Sequence, residues 1–285
     1  MNSNAVEMET HVIDGVRHPI FTTVKHIEEL QNFEIFEDDV VVMTSPKSGT
    51  TWMQEIISML RYGCDAQKAD QEYIENRWMF IDFPSQQPKV FSSTRLIKTH
   101  LPPRAIPAQM LAKKAKIIFV SRNPKDTAVS FFYFHKTVKR LPTYDSWNEF
   151  LEDFCAGNLV RGDWFDMNSY WWSQRNHKNV LFVKYEDMHR NLSDVAKKVA
   201  SFLGWTITNK DLPELLKHCS FESMKSNKKV NYTENPRMDT KNVPFMRKGK
   251  VGDWKNHFTV AQSEAFDELY REKMAGTGLD FDYEL

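Results

Sequence analysis

The chain has 285 residues, of which 41% are hydrophobic and 27% charged, a balance that excludes a disordered or fibrous protein. Its 38 Lys and Arg match 38 Asp and Glu, so no net field favours a polyanion, and nucleic acid is not an expected partner. The apolar runs are too short to span a bilayer and the first ten residues are polar and acidic rather than signal-like, so a cytoplasmic protein without a membrane partner is expected.

In chain order, residues 1–32 read as an irregular N-terminal segment, and the first strand runs Val40-Val41-Val42-Met43-Thr44. From Thr51 onward Trp52, Ile56 and Leu60 recur beside Met53 and Ile57, giving a helix with one apolar face that stops at Gly63. Tyr62 to Arg95 is rich in aromatic residues and proline and reads as a long loop. Strands follow at Leu96-Ile97-Lys98 and at Lys116-Ile117-Ile118-Phe119-Val120. Asn123 and Pro124 are a cap and first-turn residue for the next helix. Ser146 and Glu149 form a capping box ahead of Trp147, Phe150, Leu151 and Phe154, with Gly157 as the stop. A strand at Val180-Leu181-Phe182-Val183 precedes the stripe Val195, Val199, Phe202 and Leu203, closed by Gly204. Residues 226–253 are polar, basic and without periodicity and read as a long loop of the kind that is functional or mobile, and Thr259 to Gln262 caps a last helix running to Gly276. Strands whose apolar runs do not alternate are buried on both faces, so the fold class is α/β: a single domain over 1–285 with a central, mostly parallel sheet flanked by helices.

The three cysteines, Cys64, Cys155 and Cys219, are odd in number and lack the pairing of a zinc site, and the nine histidines show no metal spacing; reduced thiols and no metal are expected.

Thr44-Ser45-Pro46-Lys47-Ser48-Gly49-Thr50-Thr51-Trp52 lies between the first strand and the first helix. Unpaired N–H groups at a helix start, a glycine that lets backbone approach closely, the charge of Lys47 and the hydroxyls of Ser48, Thr50 and Thr51 make a P-loop-like anion cradle. A plain helix cap is the alternative reading, and the spacing is not that of a nucleoside-triphosphate loop, because the lysine precedes the only glycine.

With two further motifs, Ser121-Arg122-Asn123-Pro124 through Ser130 and Phe245-Met246-Arg247-Lys248-Gly249, the chain resembles the cytosolic sulfotransferases from about Phe33 to Met274. The resemblance implies an enzyme that moves a sulfuryl group from 3′-phosphoadenosine 5′-phosphosulfate, leaving adenosine 3′,5′-bisphosphate, to the hydroxyl or amine of a small apolar acceptor such as a phenol or steroid. It implies that Lys47, Ser48, Gly49, Thr50 and Thr51 hold the 5′-phosphosulfate and that Arg122, Ser130, Arg247, Lys248 and Gly249 hold the 3′-phosphate. Trp52, Tyr185 and Phe221 then hold the adenine, with Cys219, Met224, Phe245 and Met246 also binding the nucleotide. Catalysis falls to His100 as base, with Lys47, Lys98 and Ser130 at the transfer centre, and Phe80, Phe83, Phe134 and Trp78 flank the acceptor beside Lys98 and His100. Ser45 stands where the family usually has Tyr and Cys219 where it often has Thr. The segment from Lys255 to Glu264 fits the family's homodimer motif. A nucleotide kinase is the competing class, but it requires a Walker loop and a magnesium carboxylate that the sequence does not offer; a nucleotide-binding module without turnover is the third.

Overall fold

The computed structural model describes residues 10–84, 94–112 and 115–285. An antiparallel hairpin, β1 (Thr10–Ile13) and β2 (Val16–Pro19), turns at Asp14 and Gly15, and α1 (Val24–Gln31) follows, capped by the Thr23 side chain. The N-terminal segment is therefore ordered over 10–31 and not irregular as read; the Asp-Gly pair, both residues at positive φ, supplies the turn. Next come β3 (Val40–Thr44), α2 (Thr50–Arg61), the single-turn helices α3 (Ala66–Ala69) and α4 (Ile74–Arg77), β4 (Met79–Phe80) and β5 (Leu96–Thr99). The stretch read as one loop from Tyr62 to Arg95 thus holds two short helices and an edge strand, elements too short to leave a period; its residues 85–93 lie outside the described residues.

The chain continues through α5 (Gln109–Ala112), β6 (Lys116–Ser121), α6 (Pro124–Thr137), α7 (Trp147–Ala156), α8 (Trp164–Ser173) and β7 (Val180–Lys184). It ends with α9 (Tyr185–Arg190), α10 (Leu192–Leu203), α11 (Leu212–His218), α12 (Phe221–Ser226) and α13 (Val260–Lys273). Between Asn227 and Gly252 no helix or strand is assigned, as expected for the basic loop.

The five-stranded sheet has the order β4-β5-β3-β6-β7 and every pairing in it is parallel. Successive residues of β3 serve opposite faces: Val40 and Val42 pack with α2 and α10, Val41 and Met43 with Ile35, Ile97 and Trp171. That two-sided burial is why the strand reads as an unbroken apolar run. A third cluster joins α6, α7, α8 and α13 through Phe131, Phe150, Phe165 and Phe266.

The topology also places the site. The chain forms β5 on one side of β3 and β6 on the other, and ligands of open parallel sheets bind outside the carboxyl ends of strands at such a reversal. The turns after β3, β5 and β6 open at that end and carry Lys47, His100 and Arg122, and Tyr185 joins them as the first residue of α9, directly after β7.

Candidate active site

The turn after β3 is wound tightly. Lys47 has φ 69° and Gly49 φ 106°, and Gly49 precedes the first residue of α2 without a side-chain cap, leaving the helix N–H groups for a ligand. A Cβ at Gly49 would lie 2.8 Å from Cδ2 of Tyr185, so only glycine lets the loop pass beneath that ring. The Lys47 ammonium sits 3.8 Å from the Phe245 ring centre and 4.5 Å from that of Phe134. Burial, followed by the charges of Arg122, Lys98 and Arg247, pushes its pKa down to about 7. Cations gathered this closely around a helix N-terminus make a place for an anion. The buried Ser48 hydroxyl has no hydrogen-bond partner, and Ser48 is not among the residues that line the cavity described below.

Arg122 leaves the end of β6, stacks on Tyr185 with its guanidinium carbon 4.3 Å from the ring centre, and donates to the carbonyl of Lys250 at 2.9 Å. Asn123 caps α6 by accepting from the Asp126 N–H at 2.8 Å, which leaves the Asp126 carboxylate free to accept from the N–H groups of Gly252 at 2.8 Å and Trp254 at 2.9 Å. The far end of the long loop is thereby tied to α6, and Arg247 and Lys248 arrive beside Arg122 and Ser130 in one cavity. Both loop cations contact Asp253, Lys248 at 2.5 Å; burial alone would raise that carboxyl, yet their hydrogen bonds hold it at about 2.

The ring-binding end is built from aromatic side chains. The Trp52 indole N–H donates to the backbone carbonyl of Cys219 at 2.9 Å and the ring meets Tyr185 edge-on. The Cys219 thiol is fully buried and pushed well above its usual pKa; its carbonyl fixes Trp52, a contact indifferent to the side chain. Phe221 lies so close over Gly249 that an added Cβ would come within 2.1 Å of the ring. Ser45 is buried, its hydroxyl accepting from Asn168 at 3.1 Å, and is not a lining residue.

At the opposite end β5 delivers Lys98 and His100. The His100 Nδ1 is 2.9 Å from the carbonyl of Thr44, so it carries the proton and leaves Nε2 as the acceptor. Burial lowers the imidazole pKa to about 4, against the pull of Asp82 and with the push of Lys98, so it stands neutral at pH 7. The buried Asp82 carboxylate accepts from the Thr99 hydroxyl at 2.6 Å and the His100 N–H at 3.1 Å, with Arg161 Nη1 3.1 Å away. Phe80 packs edge-on against His100, 5.5 Å between centroids, and carries the Lys98 ammonium 4.3 Å from its ring centre.

Among the described residues these parts share a single cavity of about 580 Å³. It brings together Lys47, Gly49, Thr50, Thr51, Trp52, Trp78, Phe80, Phe83, Lys98, His100, Arg122, Ser130 and Phe134 with Tyr185, Cys219, Phe221, Met224 and the run Phe245 to Gly249. Of the expected site residues Ser48 alone does not line it. Sequence reading missed His189, which lies against Trp52 and Tyr185 at 4.8 and 4.7 Å, as well as Arg161 and the Asp82 beneath His100. The first is four residues beyond Tyr185 on one helix, a spacing that puts both on one face; the other two had no local signal. Trp78 is almost wholly buried and its indole donates to Ser58, so it serves the core as much as the cavity wall.

A parallel sheet with an anion cradle at a strand-to-helix turn, further cations and an aromatic wall in the same cavity defines a nucleotide-binding α/β transferase. The Sulfotransferase domain family model matches residues 37–278, and the chain belongs to the sulfotransferase family. It is 39% identical over 272 residues to rat Sulfotransferase 1C2 and 40% identical over 269 residues to bovine Sulfotransferase 1E1, covering at least 90% of each chain in both pairs. The crystal structure of mouse sulfotransferase SULT7A1 complexed with PAP superposes with a TM-score of 0.80 at 32% identity over 94% of both chains. Retinol dehydratase solved with retinol and PAP shares the fold, with a TM-score of 0.87 at 22% identity.

Proposed function

We propose that the chain moves a sulfuryl group from 3′-phosphoadenosine 5′-phosphosulfate to the hydroxyl or amine of a small, largely apolar acceptor, releasing adenosine 3′,5′-bisphosphate. The observation that carries this reading is one cavity that gathers Lys47 and the α2 N-terminus, the cations Arg122, Arg247 and Lys248, and the aromatic rings of Trp52 and Phe221. A nucleotide that carries phosphate at both its 5′ and 3′ positions brings two anions for those cations and a base for the aromatic surface. The left-handed turn at Gly49 and the bare backbone of Gly249 suit close approach of such a ligand.

In this reading the neutral His100 takes the acceptor proton through Nε2 as the acceptor oxygen bonds to sulfur and the sulfur–oxygen bond to the phosphate breaks. Lys47 and Lys98 meet the charge that grows on the departing oxygen, which they bind more strongly at the transition state than before it. Ser130, on the inner face of α6, completes the donor side. Phe80, Phe83 and Phe134 provide the acceptor wall, with Asp82 holding the His100 backbone in place.

The enzyme is proposed to be a single domain of the cytoplasm and a homodimer joined through Lys255 to Glu264. Among the described residues no helix is long and apolar enough to cross a membrane. A screen with sulfate-labelled donor across phenols, steroids, aliphatic alcohols and arylamines tests the activity: label on at least one class is expected, and none on any class rejects it.

A further inference from the structure

Arg161 is 7% exposed, lines the acceptor end of the cavity and makes no side-chain hydrogen bond among the described residues. A guanidinium carries five N–H donors, and buried ones are ordinarily matched. The other buried arginines each make at least one side-chain hydrogen bond, Arg77 to Glu55 at 2.6 Å, Arg95 to Asp39 at 2.7 Å and Arg122 to the Lys250 carbonyl at 2.9 Å, although Nε and Nη1 of Arg77 and Nε of Arg122 also lack a partner. Only Nη1 of Arg161 faces a carboxylate, Asp82 at 3.1 Å, without hydrogen-bond geometry. That carboxylate is already engaged by the Thr99 hydroxyl and the His100 N–H.

The surroundings do not complete the pair. His18, the neighbouring imidazole, is pushed down to about 4 by burial and then by the Arg161 charge, so it stays neutral. Lysines and arginines line the cavity throughout, and Glu75 is the one carboxylate among its lining residues, with one of its oxygens accepting from Asn235. Burial also lowers the Arg161 pKa, with Asp82 opposing, the mark of a cation short of partners. Its backbone sits at φ 79°, a left-handed conformation uncommon outside glycine, between the Arg161 N–H bond to the Arg17 carbonyl and Gly162.

We propose that Arg161 is a specificity-determining residue of the acceptor site and that the preferred acceptors carry a carboxylate about one aromatic ring from the hydroxyl that is sulfated. Phe80 borders both groups, its centroid 5.5 Å from the His100 ring and 5.9 Å from the Arg161 guanidinium carbon, and both also meet the Asp82 carboxylate, so an acceptor of one ring can reach the two together. An acceptor lying along Phe80 with its hydroxyl at His100 presents its far substituent to the unmatched donors. A planar guanidinium takes a carboxylate in a two-pronged bond, which a point charge cannot reproduce. The cation equally repels acceptors bearing an ammonium group there. This deepens the sulfotransfer reading and rests on it.

The test compares the hydroxybenzoates with the matching hydroxybenzamides and hydroxybenzylamines, using the intact enzyme and labelled donor. At least one hydroxybenzoate is expected to exceed its amide about tenfold in kcat/KM, mainly through KM, with the benzylamine poorest; tenfold is the size of one modest binding contact. R161Q should bring the benzoate-to-amide ratio close to one, and R161K should leave it intermediate. Tryptophan-fluorescence titration of the same compounds into the adenosine 3′,5′-bisphosphate complex reads the preference without turnover. A wild-type enzyme with no benzoate above its amide by either measure overturns the proposal, as does a preference that survives in R161Q. If R161Q does not fold, the wild-type comparison still decides. Absence of transfer to every acceptor would instead count against the sulfotransfer reading, and the fluorescence titration would still judge Arg161.

Discussion

At the scale of single residues the site depends on which groups are charged before a ligand arrives. His100 is neutral and bonded through Nδ1 to Thr44, the state a general base needs, so removing it should cost about 10²- to 10⁴-fold in turnover, roughly 3 to 5 kcal/mol of barrier. His100→Ala should still bind adenosine 3′,5′-bisphosphate, because no phosphate contact is assigned to it; retention of more than about a tenth of wild-type kcat on a phenol would end the base assignment. Lys47 makes a different statement. Its pKa of about 7 in the free protein is set by burial and by neighbouring cations, so at pH 8 most of the population is neutral. A bound phosphosulfate or phosphate raises that pKa again, so binding at pH 8 takes up a proton, and affinity falls as pH rises through 7. Calorimetry of the bisphosphate in buffers of different ionisation enthalpy should detect the uptake, and Lys47→Met should abolish it. Equal heats in all buffers would remove the assignment of Lys47 to the anion.

At the scale of elements, what sequence made legible follows from burial and capping. The interior strands β3 and β6 and the edge strand β7 are covered on both faces and show as apolar runs, and α7, α10 and α13 begin or end at the residues read as caps and stops: Ser146 with Gly157, Gly204, and Thr259 with Gln262. Four-residue helices and a two-residue strand carry no period, which is why α3, α4 and β4 were invisible. Asp82 and Arg161 reached the site through tertiary contact alone. The buried network of Glu55 with Arg77 at 2.6 Å and His218 at 3.0 Å, which pins α2 to α4 and α11 beside the nucleotide pocket, was equally hidden. The late basic loop was legible because its charge and lack of period agree, yet its path depends on Asp126 holding Gly252 and Trp254. That path lays Gly249 under Phe221. Gly249→Ala must displace the ring, and loss of an aromatic stack costs about 1–3 kcal/mol of base binding. Calorimetric titration of the bisphosphate should therefore weaken by about tenfold or more with thermal stability little changed; unaltered affinity would show that Phe221 does not stack on the base.

At the scale of the whole molecule, two properties are open to measurement: assembly and the response to acid. Val260, the first residue of α13, is 75% exposed within the segment assigned to the dimer, and a two-fold contact would bury the same side chain on both copies. Light scattering should report a dimer for the native chain and a monomer for Val260→Glu; an unchanged dimer would place the contact elsewhere. The acid response follows from buried histidines. His18, His100, His135 and His189 are each pushed from 6.5 to about 4, chiefly by burial. An unfolded chain binds protons at these positions between about pH 6.5 and 4 while the native chain does not, so their stabilising contribution is full above 6.5 and is lost as pH falls through that window. Each group contributes a slope of up to about 1.4 kcal/mol per pH unit. Glu186 acts in the opposite sense: burial raises it from 4.5 to about 7, so its contribution is greatest at low pH and falls as pH rises through 7. His218, raised by Glu55 despite burial, contributes in full below 6.5 and loses that contribution only as pH rises above it, so it adds no slope in this window. Between pH 6.5 and 4.5 four groups thus oppose one, and Tm should drop steadily, beginning in the upper part of the interval where ordinary carboxylates do not yet titrate. His135→Gln, whose site lies outside the cavity between α6 and the Pro142 carbonyl, should make the decline shallower by removing one of the four. A Tm that is flat or rises on acidification from pH 6.5 to 4.5 would show that these histidines titrate in the native protein and are not held neutral by burial.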